Sequence, residues 1–446
     1  MTFNERNINN LIYIFITTHL FVWTLVPTIT NNNLPLDIIE ALAWGSNLDW
    51  GFNKHPPGSA FFPELFYQIF GSQDWAYYFL SQIFVVISFF VVFKFAEEIF
   101  KNKILSLISV LLLGGIYFYN YTTPEFNVNV CQLPFWPLTV CFSWKILNQK
   151  KIDIKDCILL GIFAAIGFLS KYLFVYLLVA IDFSFLYIIF IKKEKKFDYK
   201  YLISFVVFLV LLVPHLIWLI DNDYITITYG LGRTGLENSN FLNHLTFPLI
   251  FVVKQIGILL PFLIMSFFLI TKFKFKINLK DRKLLFLIFT NLVPIGLMFL
   301  TSMILGAKIK TMWMTPFYLF IGVLIVYVFQ AQINFKKLNS FFTVFLILFI
   351  FSPFAYAYVS LSKTDKRTDY PGKEIAQKIQ LEWNQNFKDS INVVLGNEWD
   401  AGNLSYHLNS RPVWLGSIEN YKLDELNKYI CIDKVCVGHK WKKLKY

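Results

Sequence analysis

Eleven apolar runs divide this chain, beginning near Leu11, Trp75, Ile104, Val128, Cys157, Tyr172, Tyr201, Phe247, Leu284, Met312 and Ser340. A helix needs ~20 mostly apolar residues to cross the hydrocarbon core of a bilayer, where no water satisfies a bare backbone. Runs at this density exclude an ordinary soluble enzyme of two or three domains. Composition agrees: of 446 residues, 56% are hydrophobic and 16% charged, against about 45–50% and about 25% in soluble domains. The expectation is an all-α multi-pass membrane protein with about eleven transmembrane helices. Cys157–Leu169 is a short run, and Lys171 interrupts it before the next. Such broken helices persist where protein or water, not lipid, surrounds them. Leu11–Pro27 is followed by no small-residue cleavage pattern and reads as a retained first span.

A net charge of +12 raises the question of nucleic acid, and the position of the charges answers it. Lys101/Lys103, Lys150/Lys151/Lys155, Lys192/Lys193/Lys195/Lys196, Lys272 through Lys283 and Lys336/Lys337 fall in every second loop. That is the retention pattern of a membrane protein and calls for no nucleic acid; it puts these loops and the N-terminus in the cytoplasm. The opposite face then carries Thr28–Asp74, Tyr121–Asn127, Ser170–Lys171, Asp221–Thr246, Gly306–Thr311 and everything after about Ser360. Residues 1–359 form the membrane domain on this reading, and residues 360–446 a small α/β domain outside it. In the latter, Gly372–Asn386 and Ala401–Leu408 read as helices, Ile391–Leu395 and Pro412–Leu415 as strands. Cys431 and Cys436 either pair in an oxidising compartment or remain free thiols.

The first outer loop, residues 28–74, concentrates the chemistry. Asp37 and Glu40 share one face of a helical stretch, with Trp44 a turn further on. Asp37 is either a general base with a pKa raised at the lipid–water boundary or, more commonly for such a group, a carboxylate bonded to backbone or a Lys. Glu40 is an auxiliary carboxylate or a solvated one. Lys54 precedes His55-Pro56-Pro57 and suits a phosphate; its alternative is snorkelling to membrane lipid headgroups. His55 either donates to the same phosphate or is structural. Further along, Gly230-Leu231-Gly232-Arg233-Thr234-Gly235 is formally a dinucleotide fingerprint. It lacks the strand and helix that such a turn joins, so we read a flexible loop that carries Arg233 over an anionic ligand. Lys171, beside Tyr172, and Lys308 and Lys310, before Trp313, are basic residues on the outer face, against the positive-inside trend. Asp182 and Lys254 fall within spans. The six His show no metal-ligand spacing.

Taken in order, these segments resemble a known family. Asp37 through Gly45 with Trp50 through Pro57 is similar to the first periplasmic loop of bacterial C-type glycosyltransferases of glycosyltransferase family 39. That family is related to protein O-mannosyltransferases and to the aminoarabinose transferases of lipid A. Supporting stretches are Leu169–Tyr172, Pro214–Trp218, Lys308–Trp313, Asp369–Gly372 and Gly396–Leu404. The resemblance implies the GT-C fold, a polyprenyl-phosphate sugar donor and transfer on the periplasmic face of the inner membrane. It implies a lipid A, glycan or protein acceptor. Asp37 matches the family's catalytic Asp, and Lys54 its phosphate-contacting Lys before Pro-Pro. Lys171 and Arg233 join Lys54 as candidate cations for the leaving phosphate, and His55, Tyr172, Lys308 and Lys310 complete the candidate substrate-binding set. Many relatives carry adjacent Asp-Glu, whereas two residues separate Asp37 from Glu40 here; their division of labour, and any divalent cation between them, stay open. A transporter is the rival class, but transporters place their charges at the bilayer midplane, not at one interface beside an outer domain.

Overall fold

A computed structural model of the chain describes residues 5–235, 240–271 and 278–440. The basic cluster's Lys272, Lys274 and Lys276 lie outside the described residues. All eleven apolar runs are helical. Seven helices among the described residues are long and apolar enough to cross a membrane: Asn7–Thr30, Asp74–Phe100, Tyr172–Ile191, Tyr201–Asp221, Asn243–Leu269, Arg282–Leu305 and Phe335–Ser362. An eighth candidate, Thr311–Tyr318 with Ile321–Gln332, is bent by 51°. The remaining three runs are shorter or broken.

In chain order the helices are α1 (Glu5–Thr30), α2 (Leu36–Gly45), α3 (Gly58–Phe70), α4 (Asp74–Phe100), α5 (Lys103–Leu111), α6 (Val128–Cys131), α7 (Phe135–Asn148), α8 (Ile154–Ser170) and α9 (Val175–Leu186). There follow α10 (Tyr201–Asp221), α11 (Ile225–Gly232), α12 (Asn243–Leu269), α13 (Arg282–Leu305), α14 (Ile321–Phe329), α15 (Leu338–Ser362), α16 (Gly372–Asn386) and α17 (Asp400–His407). One aromatic-rich core joins α1, α4, α5 and α7 to α12–α15; Trp136, Tyr119 and Phe286 are wholly buried in it.

Polar contacts sort the loops into two ends. At one end, Arg282 pairs with Glu194 at 2.7 Å, Lys283 donates to the Ile99 carbonyl at 2.6 Å, and Lys200 donates to that of Ile152 at 3.1 Å. These are the basic loops. At the other end the expected outer-face segments meet each other, as the alternation of loop charge requires.

After α15 the chain forms a four-stranded sheet in the order β2-β1-β4-β3, from β1 (Val393–Leu395), β2 (Val413–Trp414), β3 (Lys428–Ile432) and β4 (Val435–His439). β1 and β2 are parallel; β4 is antiparallel to both of its neighbours. The β3–β4 hairpin is an addition to the sequence reading, and Cys431 and Cys436, opposite one another in its register, are disulfide-bonded. The sheet has its own core around Trp383, Val394 and Leu404. It is also clamped to the first outer loop. Gly402 of α17 lies so close to α2 that a Cβ there would come within 3.0 Å of the Ile39 carbonyl oxygen. Asn33 donates to Asn403 at 2.8 Å. Arg411 pairs with the buried Glu64 of α3 at 2.5 Å, donates to the Leu42 carbonyl at 2.7 Å, and lies 4.0 Å over the Tyr67 ring.

Candidate active site

A cavity of about 440 Å³ opens at the end of the bundle opposite the basic loops. Seven of the nine sequence candidates line it: Asp37, Glu40, Lys54, His55, Lys171, Tyr172 and Arg233. Each arrives on a different support. Asp37 and Glu40 project from the first two turns of α2, whose other side is buried through Ile38, Ile39 and Leu42. Lys54 and His55 come from the irregular link between α2 and α3. Lys171 occupies the break after α8, in extended backbone. Arg233 caps α11. The far wall is apolar, with Met298 and Leu305 of α13 and Leu231 of α11. The lining thus combines charged side chains with apolar ones.

The charged side chains are tightly paired. Lys54 Nζ sits 2.9 Å from Glu40 Oε1 and 2.8 Å from Glu398 Oε2, and Glu398 Oε1 accepts from Asn53 at 3.0 Å. Burial opposes the Lys54 charge, but its hydrogen bonds to Glu398 and Glu40 outweigh this and hold the ammonium above its ordinary pKa. Glu125, from the Tyr121–Asn127 turn, accepts the backbone N–H of Asp37 at 3.0 Å. That amide belongs to the first turn of α2, where no intrahelical partner exists and the helix dipole favours an anion. Asp37 and Glu125 are thus neighbours; burial raises the pKa of Asp37, and burial together with the charge of Asp37 raises that of Glu125. For Asp37, Lys171, Lys54 and Arg233 oppose the rise. Glu40 is raised by burial against the pull of Lys54.

Lys171 donates to Asn129, lies 5.4 Å from the Trp313 ring centre, and is buried enough that its pKa falls to about 7. Burial, then the charges of Lys171, Lys54 and Arg233, lowers His55 to about 3. It is therefore a neutral imidazole, able to donate one hydrogen bond but not to add charge. Tyr172 shares a hydrogen bond of 2.7 Å with His215, whose other ring nitrogen meets the Trp50 carbonyl oxygen at 2.6 Å. Arg233 is exposed, stacked 5.6 Å from the Tyr229 ring centre and donating to its hydroxyl at 2.9 Å.

Two expectations need correction. Lys308 and Lys310 do not line the cavity; Ala307 and Ile309 do. The stretch is non-helical, so alternate residues face opposite ways, and the apolar pair turns inward. Lys310 still acts electrostatically on Lys171 and Arg233. The glycine-rich segment is not a flexible loop through Gly232: Ile225–Gly232 is a helix with Arg233 at its C-terminal boundary. Leu236 to Ser239 lie outside the described residues. Asp182 and Lys254 stand on exposed helix faces and contribute nothing to this cavity.

Glu125, Asn129, Trp313 and Glu398 were not singled out as site residues. Glu398 lay within a stretch quoted for the resemblance, but nothing local ties it to Lys54. Among the described residues, no group of three or more His, Cys, Asp or Glu is arranged to hold a metal ion.

The fold and this cavity describe a helical bundle with seven helices long and apolar enough to cross a membrane and a polar site at one of its ends. Residues 54–218 match the family described as dolichyl-phosphate-mannose-protein mannosyltransferase. The chain is 32% identical over 110 residues to the undecaprenyl phosphate-alpha-4-amino-4-deoxy-L-arabinose arabinosyl transferase of Wigglesworthia glossinidia brevipalpis. That match covers 23% of this chain and 18% of the relative. In fold, the chain is similar to ArnT from Cupriavidus metallidurans. The crystal structure bound to undecaprenyl phosphate matches with a TM-score of 0.65 at 12% identity, covering 93% of this chain and 87% of that one. The apo structure matches with a TM-score of 0.61 at 12% identity over 92% and 86%. Part of the chain is thus similar to the mannosyltransferase family and to the arabinosyl transferase, and nearly all of it shares the fold of ArnT.

Proposed function

We propose that this chain is an integral-membrane glycosyltransferase that moves a sugar from a polyprenyl-phosphate donor to an envelope acceptor. The reaction takes place on the periplasmic face of a bacterial inner membrane, with about eleven helices crossing it, the N-terminus in the cytoplasm and the tail outside. Lipid A or lipopolysaccharide is the first choice of acceptor, and a protein hydroxyl the second. The observation that carries this reading is one amphiphilic cavity in which Asp37 and Glu40 meet Lys54, Lys171 and Arg233, with the apolar wall of α13 opposite. A donor of this class combines the same two characters, a charged sugar phosphate and a hydrocarbon chain. The undecaprenyl phosphate bound in the ArnT crystal structure, and the donor named for the arabinosyl relative, support the donor class.

The chemistry follows from the charges. An acceptor hydroxyl oxygen attacks the anomeric carbon from the face opposite the phosphate. The carbon–oxygen bond to phosphate breaks, and its electron pair leaves with the polyprenyl phosphate. Preorganised cations stabilise that developing charge, and losing one donor of this kind costs about 10²–10³ in rate. Lys54, Lys171 and Arg233 fill that role. The acceptor's proton passes to Asp37, whose raised pKa makes it a better base than a solvated carboxylate. Glu125 holds the first turn of α2, and so Asp37, in place.

The test is transfer by purified protein in defined lipid with a synthetic polyprenyl-phosphate sugar. Asp37→Asn should reduce kcat by about 100-fold or more with donor binding retained. A normal rate would remove Asp37 from the mechanism. Solute flux in sealed vesicles without any glycosyl transfer would favour the transporter instead.

A further inference from the structure

A second cleft, of about 390 Å³, lies against the donor cavity on the outer face. The wall between them is one side-chain pair thick. Lys54 faces the cavity and Glu398 the cleft, joined at 2.8 Å. Beside them Thr226 faces the cavity and donates at 2.6 Å to the carbonyl oxygen of Phe52, which faces the cleft.

The lining differs sharply from that of the cavity. It holds three indoles, Trp44, Trp218 and Trp414, and the amides Asn47, Asn53, Asn222 and Asn397. Among the described residues its only charged groups are Asp49 and Glu398, with no Lys or Arg. The rings are fixed in advance. Trp218 packs on Gly51, where a Cβ would come within 2.2 Å of the ring, and its N–H is held by Asp49 at 2.8 Å. Trp414 donates through its backbone N–H to Ser46 at 2.9 Å and through its indole N–H to the Gly396 carbonyl at 2.9 Å. Two buried polar atoms in this lining have no partner, the Asn53 side-chain oxygen and the Trp44 indole N–H. A buried acceptor and a buried donor left unmade are costly.

Resting on the transferase reading above, and narrowing its acceptor from the phosphorylated lipid A headgroup to an unphosphorylated sugar of lipopolysaccharide or another glycan, we propose that this cleft is the acceptor's glycan subsite and that it takes an uncharged or amine-bearing sugar. Rigid aromatic faces suit the C–H faces of a sugar ring, and amides suit its hydroxyls, at little ordering cost because the side chains are already held. An acidic, cation-free lining disfavours a phosphorylated one. The two compartments thus divide substrates by charge: the anionic donor lies with the lysines, and the acceptor's sugars lie behind Glu398, one side chain from Asp37's cavity.

The experiment measures binding to the full chain in nanodiscs, without donor, by tryptophan fluorescence and saturation-transfer NMR. The probes are a glucosamine disaccharide, its bisphosphate, maltotriose and a Ser/Thr-rich peptide. The unphosphorylated sugars should bind at least tenfold more tightly than the bisphosphate. Trp414→Ala should lower that affinity at least tenfold while leaving undecaprenyl phosphate binding unchanged, which also reports that the variant is folded. Asn53→Ala, a smaller truncation, should weaken sugar binding severalfold. Tightest binding of the bisphosphate, binding of the peptide alone, no sugar binding, or indifference to both substitutions would each overturn the proposal. Failure of undecaprenyl phosphate to bind the unmodified chain would instead strike the transferase reading, and is read separately.

Discussion

Lys171 shows how burial can turn a common side chain into a sensor. Its pKa lies near 7 because it is 7% exposed, with Asp37 opposing the fall and Lys310 and Arg233 adding to it. An anionic donor binds the protonated form. Donor affinity should therefore be full below pH 7 and decline as pH rises through and above it. Titrating donor KM between pH 6 and 9 checks the sign, and Lys171→Arg, charged throughout, should flatten the profile. His55 contributes no such slope in this range, since it is neutral well above its pKa of about 3. Lys54 differs again: Glu40 and Glu398 both hold it, so phosphate must compete with two carboxylates for it. Asp37, Glu40, Lys54 and His55 were legible as one polar cluster because they lie within nineteen residues of each other (37 to 55). Glu125 was not, because a single acid in the turn Tyr121–Asn127 looks like any solvated one until α2 is placed against it.

At the scale of elements, the decisive contact is between the tail and the first outer loop. Arg411 of the tail and Glu64 of α3 form an ion pair with side chains 12% and 6% exposed. Removing one partner strands the other charge in a poorly hydrated site, which costs about 3–5 kcal/mol. Arg411→Ala should accordingly lower the apparent melting temperature of the purified protein and raise protease sensitivity near α3. The double substitution Glu64→Gln with Arg411→Met should recover part of the loss, since no buried charge is then unpaired. Helix boundaries were readable where local signals coincide. Gly372–Asn386 follows Pro371 and has an amphipathic period, and it is helical over that span. The β3–β4 hairpin was harder: each strand has five residues, and Asp433 at φ 52° supplies the turn where a glycine would have announced it. Ile225–Gly232 coils despite Gly230 and Gly232, because α11 packs over the first loop through Thr226 and tertiary contact overrides weak propensity.

For the whole molecule, the gathering of the lysine-rich loops at one end predicts a single orientation. Alkaline phosphatase fused after Tyr446 should be active and a fluorescent protein there dark, and cysteines placed in the Lys192–Lys196 loop should resist impermeant thiol reagents in intact cells. The reverse labelling would invert the assignment of faces. Membrane character and helical class were set by residue order alone, since lipid solvation acts on contiguous segments. Whether side chains hundreds of positions apart meet is a different matter. Lys54 finds Glu398, and Arg411 finds Glu64, only once α17 has packed on α2 and the sheet has closed over both. Neither pairing leaves a local trace, because packing complementarity is a property of surfaces that exist only after folding. The division of the outer face into a basic cavity and an acidic, indole-lined cleft belongs to that second kind of information.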